Sequence, residues 1–331
     1  MSNKIIRTIG LFSADPGQKD VDRLKQLKEK AISGGFEVQT MRLISKGLGF
    51  KELETKISDE AVILGLGTIE YKKALDNLVE LGQTKRVFFN VASTDPGLLF
   101  ELIKNQPENT FHFTYVFNNV DSSPYFPSSN YEIDGFSVGL QPTDLSENCK
   151  NLDEYFDKLK AAYQELVTIF GSEPDFLGID SSIAPLYQGK SSLVNLVRRL
   201  SGEFGETVTT DFFVRITNFI KKNNPQPVGL CGLMLPCLED FELADEYEKG
   251  EFSIERNVFL SLHSGLGIDT YPIGVDEKPE RVEQILKLLK ALSEKHNKSL
   301  SARFVSDGKA KIGDKTDFKN QYLKDVMVKN L

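Results

Sequence analysis

Short apolar runs rich in β-branched and aromatic residues alternate with charged segments of helical period along nearly the whole chain. That alternation limits the fold more than any other feature. The runs are IIRTIGLF (5–12), FEVQTMRL (36–43), AVILGL (61–66), RVFFNV (86–91), FHFTYVF (111–117), GFSVGL (135–140), FLGID (176–180), GLCGLML (229–235), GIDTYPI (267–273) and SARFV (301–305), about ten in all. Several place apolar residues at consecutive positions, as strands covered by helices on both faces do. Between them, Val21, Leu24, Leu27 and Ala31 recur at helical spacing before Gly34-Gly35, and Phe156, Leu159, Tyr163, Leu166 and Phe170 form a longer stripe. Pro279 opens a third helical pattern that turns basic toward its end. Strands alternating with helices predict an α/β protein with a mainly parallel sheet, either open and doubly wound or closed into a barrel.

Length and charge narrow the partners. The 331 residues are 40% hydrophobic, with 23 Phe and 10 Tyr, enough for a large core. The formal net charge of −8 argues against nucleic acid, which requires a basic face to neutralise phosphates. No apolar run approaches the roughly 20 residues of a membrane span, and the start lacks the pattern of a targeting signal. Three cysteines are odd in number and too few for a disulfide framework, so a reduced, cytoplasmic location is expected. The expected partner is a small-molecule ligand, with no nucleic acid and no membrane; self-association into a homo-oligomer is compatible with this reading.

Two stretches break the rhythm. Residues 118–133, NNVDSSPYFPSSNYEI, carry two prolines and three aromatics without either periodicity, and are expected to fold as a lid or site wall. Residues 141–150 are polar and divide the chain into halves, about 1–145 and 150–331.

Several tempting motifs dissolve on inspection. Gly189-Lys190-Ser191 lacks the earlier glycine of a phosphate loop: Ala184 stands there, followed by Pro185, which has no amide hydrogen. A helix start is the better reading. Gly65-Leu66-Gly67 has no third glycine for a dinucleotide fingerprint and reads as a tight turn. His112, His263 and His296 lie far apart, and Cys231 and Cys237 lack the spacing of a zinc knuckle. What persists is a set of charged residues at the ends of apolar strands in the second half: Asp180 followed by Ser181, then Cys237 with Glu239 and Asp240, then Asp269, with Arg303 inside an otherwise apolar strand. Buried ionisable groups are costly unless paired, and α/β folds place sites at strand ends. Asp240 also stands where it would cap a helix starting near Phe241.

At these residues the chain resembles the domain-of-unknown-function family seven-eleven, placed with the pyruvate formate-lyase-like barrels. The matching strings are IRTIGLF, PYFPSS with GFSVGL, FLGIDSSIAP, GLCGLMLPCLED, GLGIDTYPIG and ARFV, in the family's order over most of the chain. The resemblance implies one ten-stranded α/β barrel spanning 1–331, made of two five-stranded halves. It carries over Asp180, Glu239, Asp240, Asp269 and Arg303, and sets His263 beside Ser264 where some members have Cys. Glycyl-radical relatives of this barrel need a glycine in a C-terminal loop. None follows Gly313 here, so the chemistry implied is non-radical.

The expectation is therefore an enzyme acting by acid–base chemistry on a small polar metabolite that bears a carboxylate. Asp180 and Glu239 would be the acid and base. Arg303 would clamp the carboxylate, with Ser181, Tyr125, Phe126, Cys237 and His263 lining the pocket. Asp240 and Asp269 offer hard oxygen ligands suited to Mg²⁺ or Ca²⁺. The alternative is a catalytically inactive metabolite-binding or regulatory protein that retains the barrel.

Overall fold

Nine of the ten apolar runs form one sheet in a computed structural model that describes residues 4–331. Residues 1–3, which begin the stretch read for a targeting signal, lie outside the described residues. The strands are β1 (Lys4–Phe12), β2 (Phe36–Ile44), β3 (Val62–Ile69), β4 (Val87–Val91), β5 (Phe113–Phe117), β6 (Gly135–Leu140), β7 (Phe176–Asp180), β8 (Gly267–Pro272) and β9 (Leu300–Val305). Their order is β7-β6-β1-β2-β3-β4-β5-β9-β8. β1 to β5 run parallel to one another. β6 meets β1 antiparallel and β9 meets β5 antiparallel, while β6 with β7 and β8 with β9 are again parallel pairs. The direction of the sheet thus reverses between β5 and β6, ahead of the polar stretch at 141–150.

Helices return the chain between parallel strands and bury the expected stripes. Helix Gln18–Ser33 covers Val21, Leu24, Leu27 and Ala31. Helix Leu152–Phe170 starts at Asn151, whose side chain accepts the Glu154 amide, and buries Leu159, Tyr163, Leu166 and Phe170. Phe156 is only partly buried and stacks instead on Phe219, ring centroids 4.1 Å apart. Helix Pro279–His296 begins with its proline where no amide donor is needed. Gly65-Leu66-Gly67 lies inside β3 rather than in a turn after it. Gly189–Ser191 forms a single 3-10 turn, after which Ser192 caps helix Leu193–Leu200. Among the described residues, no helix is long and apolar enough to cross a membrane.

The tenth run, GLCGLML, is not a strand of the sheet. Gly229 and Cys231 both have positive φ, and the amides of Leu230 and Cys231 donate to the Asp180 carboxylate, 2.9 and 3.1 Å away, rather than to a neighbouring strand. The segment makes only isolated parallel bridges: Ile179 with Pro227 and Ile183 with Leu233 on one side, Leu233 with Gly265 and Pro236 with Asp269 on the other. The hydrogen-bonded sheet therefore has nine strands and is not closed by a continuous ladder.

Candidate functional site

A cavity of about 380 Å³ opens against the inner parts of both sets of strands. β1 contributes Arg7 and Thr8, β2 contributes Thr40 and Arg42, and β4 contributes Phe88. From the opposing strands come Asp269 of β8 and Arg303 of β9, with Glu239 following the bridged segment. Tyr125 and Phe126 of the long loop complete one wall. That loop is fastened to the sheet: Asn90 donates to the Pro127 carbonyl at 3.0 Å, and Ser137 to the Ser122 carbonyl at 2.7 Å. The Tyr125 hydroxyl donates to the Leu140 carbonyl at 2.6 Å. A Cβ at position 139 would overlap the Tyr125 ring, so Gly139 of GFSVGL is what lets the phenol lie against β6.

Two arginines in this cavity have opposite surroundings. Arg303 is buried and ion-paired twice, its Nε 2.6 Å from Asp269 and an Nη 3.2 Å from Glu239. Burial works against its charge, but the two carboxylates more than offset this and its pKa lies above the ordinary arginine value. Arg42 is also buried, yet its Nε and Nη1 have no hydrogen-bond partner. Its guanidinium lies over the rings of Phe88 and Phe126, 5.1 and 5.9 Å from their centroids. Burial, reinforced by the charges of Arg7 and Arg303, pulls its pKa down to about 9, so it stays protonated at neutral pH. The Phe126 ring serves both cations, since Arg303 lies 5.1 Å from the same centroid.

His112 also lines the cavity. Its Nδ1 lies 3.2 Å from Asn109 Oδ1, while the Asn109 amide donates to Gln106. This pairing favours the tautomer with the proton on Nδ1, leaving Nε2 as an acceptor. Burial, followed by the charges of Arg303 and Arg42, lowers the His112 pKa to about 4, so the ring is neutral at pH 7.

The remaining sequence candidates are dispersed. Asp180 is fully buried outside the cavity lining and accepts from Ser123 Oγ (2.7 Å), Ser182 N and Oγ (3.0 and 2.6 Å), and the amides of Leu230 and Cys231. It ties the long loop, the end of β7 and the 229–235 segment together. Ser181 donates to the Ile220 carbonyl at 3.2 Å, away from the cavity. Cys237 is completely buried, and burial pushes its thiol well above the ordinary range. His263 ends helix Ile254–His263, its Nδ1 2.8 Å from Ser264 Oγ, outside the lining. Asp240 caps helix Phe241–Lys249 through the amides of Glu242 and Leu243 and also accepts the Leu193 amide at 2.7 Å. Its carboxylate and that of Asp269, paired with Arg303, are thus separately engaged. Among the described residues, no group of three or more His, Cys, Asp or Glu side chains is arranged to hold a metal ion.

Glu239, Asp269, Arg303, Tyr125 and Phe126 thus come together, whereas Asp180, Ser181, Cys237, Asp240 and His263 do not join them. Arg42 and His112 were missed. Arg42 carried the signal that singled out Arg303, a charge between apolar neighbours (Met41 and Leu43) in a strand, but it stands in the other half of the chain.

Residues 81–320 match the family described as Uncharacterised ACR (DUF711). A UPF0210 protein of Lacticaseibacillus casei (strain BL23) is 18% identical over 281 residues, covering 74% of this chain and 61% of the relative. A UPF0210 protein of Lacticaseibacillus paracasei (strain ATCC 334) shows the same identity, with 74% of this chain and 63% of the relative covered. The chain thus spans less than two thirds of the length of these curated relatives. With the match extending over most of the sequence, including β4 through β9, the chain belongs to the DUF711 family.

Proposed function

We propose that the cavity binds a small carboxylate-bearing metabolite and that the protein acts on it by proton transfer. The observation that carries this reading is Arg42, a buried guanidinium with two nitrogens lacking any protein partner, in the wall of a cavity. Leaving such donors unsatisfied is costly, and an anionic ligand would satisfy them. Arg303 then serves the carboxylates rather than the ligand. Glu239 meets Arg303 through Oε2 alone, which leaves Oε1 to exchange a proton with the ligand. His112 Nε2 is a second acceptor on the same cavity. The four bridges of the 227–236 segment support a finer reading of the fold, in which that segment stands between β7 and β8 and closes a ten-stranded barrel of the pyruvate formate-lyase-like type. The unpaired thiols of Cys149, Cys231 and Cys237 accord with a cytoplasmic setting.

The catalytically inactive alternative is favoured by one observation: both deep carboxylates of the cavity, Glu239 and Asp269, are already paired with Arg303. Calorimetric titration with a panel of organic acids, followed by turnover assays on those that bind, separates the readings. Arg42→Gln is expected to abolish binding, and Glu239→Gln to preserve binding while removing turnover. Undiminished binding by a folded Arg42→Gln protein would refute the site, and binding without turnover by the unaltered protein would establish the inactive reading.

A further inference from the structure

We infer that the ligand of this cavity is a dianion, a dicarboxylate or a phosphate monoester, held between Arg7 and Arg42. The inference rests on the anion-binding reading above and concerns charge number. Arg7 and Arg42 stand on adjacent parallel strands whose register sets Thr8 opposite Thr40 and Gly10 opposite Arg42. The Thr40 hydroxyl donates to the Arg7 carbonyl at 2.8 Å, which fixes the two strands at this level. Both arginines line the same cavity. The deep carboxylates there, Glu239 and Asp269, are taken by Arg303, and Glu60 is exposed at the rim. Among the described residues neither Arg7 nor Arg42 joins an ion pair. Two like charges, Arg42 buried and Arg7 half-buried, therefore share one wall with no ion-pair partner of their own, an arrangement that a single negative charge would only half relieve.

The donors match that demand. Thr8 and Arg42 line the cavity together, and Thr8 Oγ1 and the Nε and Nη1 of Arg42 are buried without a protein partner. A hydroxyl and a guanidinium fork on neighbouring strands suit a carboxylate or phosphoryl group, while Arg7 is available to a second negative charge. The excess of positive charge is local, because the whole chain is at −8. A phosphate monoester is doubly charged above its second pKa of roughly 6, so both ligand classes present the same charge near pH 7.5.

The test is calorimetric titration of the full chain at pH 7.5 and fixed ionic strength with four probes: propionate, succinate, dimethyl phosphate and glycerol phosphate. At least one dianion is expected to bind about tenfold or more tightly than its monoanionic counterpart, and the responding pair identifies the ligand class. Arg7→Gln should weaken that dianion about tenfold and the matching monoanion less than twofold, with Arg7→Lys restoring most of the difference. Equal affinity for monoanion and dianion, or an Arg7→Gln effect of the same size on both, would overturn the dianion inference and leave the anion site standing. No binding by any of the four would overturn both. The comparison of probes on the unaltered protein decides the question even if a variant fails to fold.

Discussion

Two buried charges divide this molecule between them. Asp180, at the end of β7, is surrounded by donors: two serine hydroxyls and three backbone amides converge on its carboxylate. Arg42, in β2, is buried too, with two of its nitrogens unpaired and aromatic rings for neighbours. The first arrangement holds three pieces of chain together and leaves the carboxylate little capacity for a ligand. The second leaves hydrogen-bonding capacity unused beside an open volume. Burial of a charge does not by itself mark a site; what distinguishes the two regions is whether the protein satisfies the charge.

The comparison breaks most easily at Asp180. Asp180→Ala strips a common acceptor from five donors and is expected to cost about 3–5 kcal/mol in urea unfolding. A loss below about 1 kcal/mol would mean the network is not what fastens the loop and the 229–235 segment.

Acid should expose the cavity side next. His112 has a folded pKa near 4, below its ordinary 6.5, so between those values the unfolded chain binds the extra proton. Its contribution to stability is therefore present above pH 6.5 and is lost as the pH falls toward 4, by roughly 3 kcal/mol. Unfolding free energies measured from pH 7 to pH 4 should fall less steeply for His112→Gln than for the unaltered protein. Parallel profiles would show that the imidazole is not held neutral by its burial and the arginines.

The smallest effect has the opposite sign. Arg42→Gln removes an uncompensated buried charge and should raise stability by about 1 kcal/mol in the absence of ligand. A clear loss of stability would place Arg42 with Asp180 as a structural residue and remove the contrast.

The order of strands and helices was legible because apolar period and helix caps are local properties. The stripe from Val21 to Ala31, Asp240 ahead of its helix and Pro279 at the start of another all needed only their neighbours in sequence. The run GLCGLML misled for the converse reason. Its composition is that of a buried strand, but its amides are claimed by Asp180, about fifty residues away, and its backbone turns at Gly229 and Cys231. Asp180 itself was misplaced by the same long-range network: nothing near it in sequence shows that Ser123, Leu230 and Cys231 will supply donors. Glu239, Asp269 and Arg303 were legible as a charged group but not as a closed set of ion pairs, since their pairing depends on how β8 and β9 meet the bridged segment. Arg42 was within reach, had the rule applied to SARFV been applied to FEVQTMRL.

The reversal of direction at the β1–β6 and β5–β9 borders has a further consequence. In a sheet whose strands all point one way, chemistry and stability can be assigned to opposite ends, and loops at one end can vary freely. Here each end mixes strand beginnings from one set with strand finishes from the other. The cavity accordingly draws Ile63 and Phe88 from near the starts of β3 and β4, but Arg303 from beyond the middle of β9. The two ends are therefore not separated in function: the loop that follows β5 brings Tyr125 and Phe126 to a cavity otherwise lined from the starts of β3 and β4, so a change in that loop alters the ligand's surroundings from the far end of the strands.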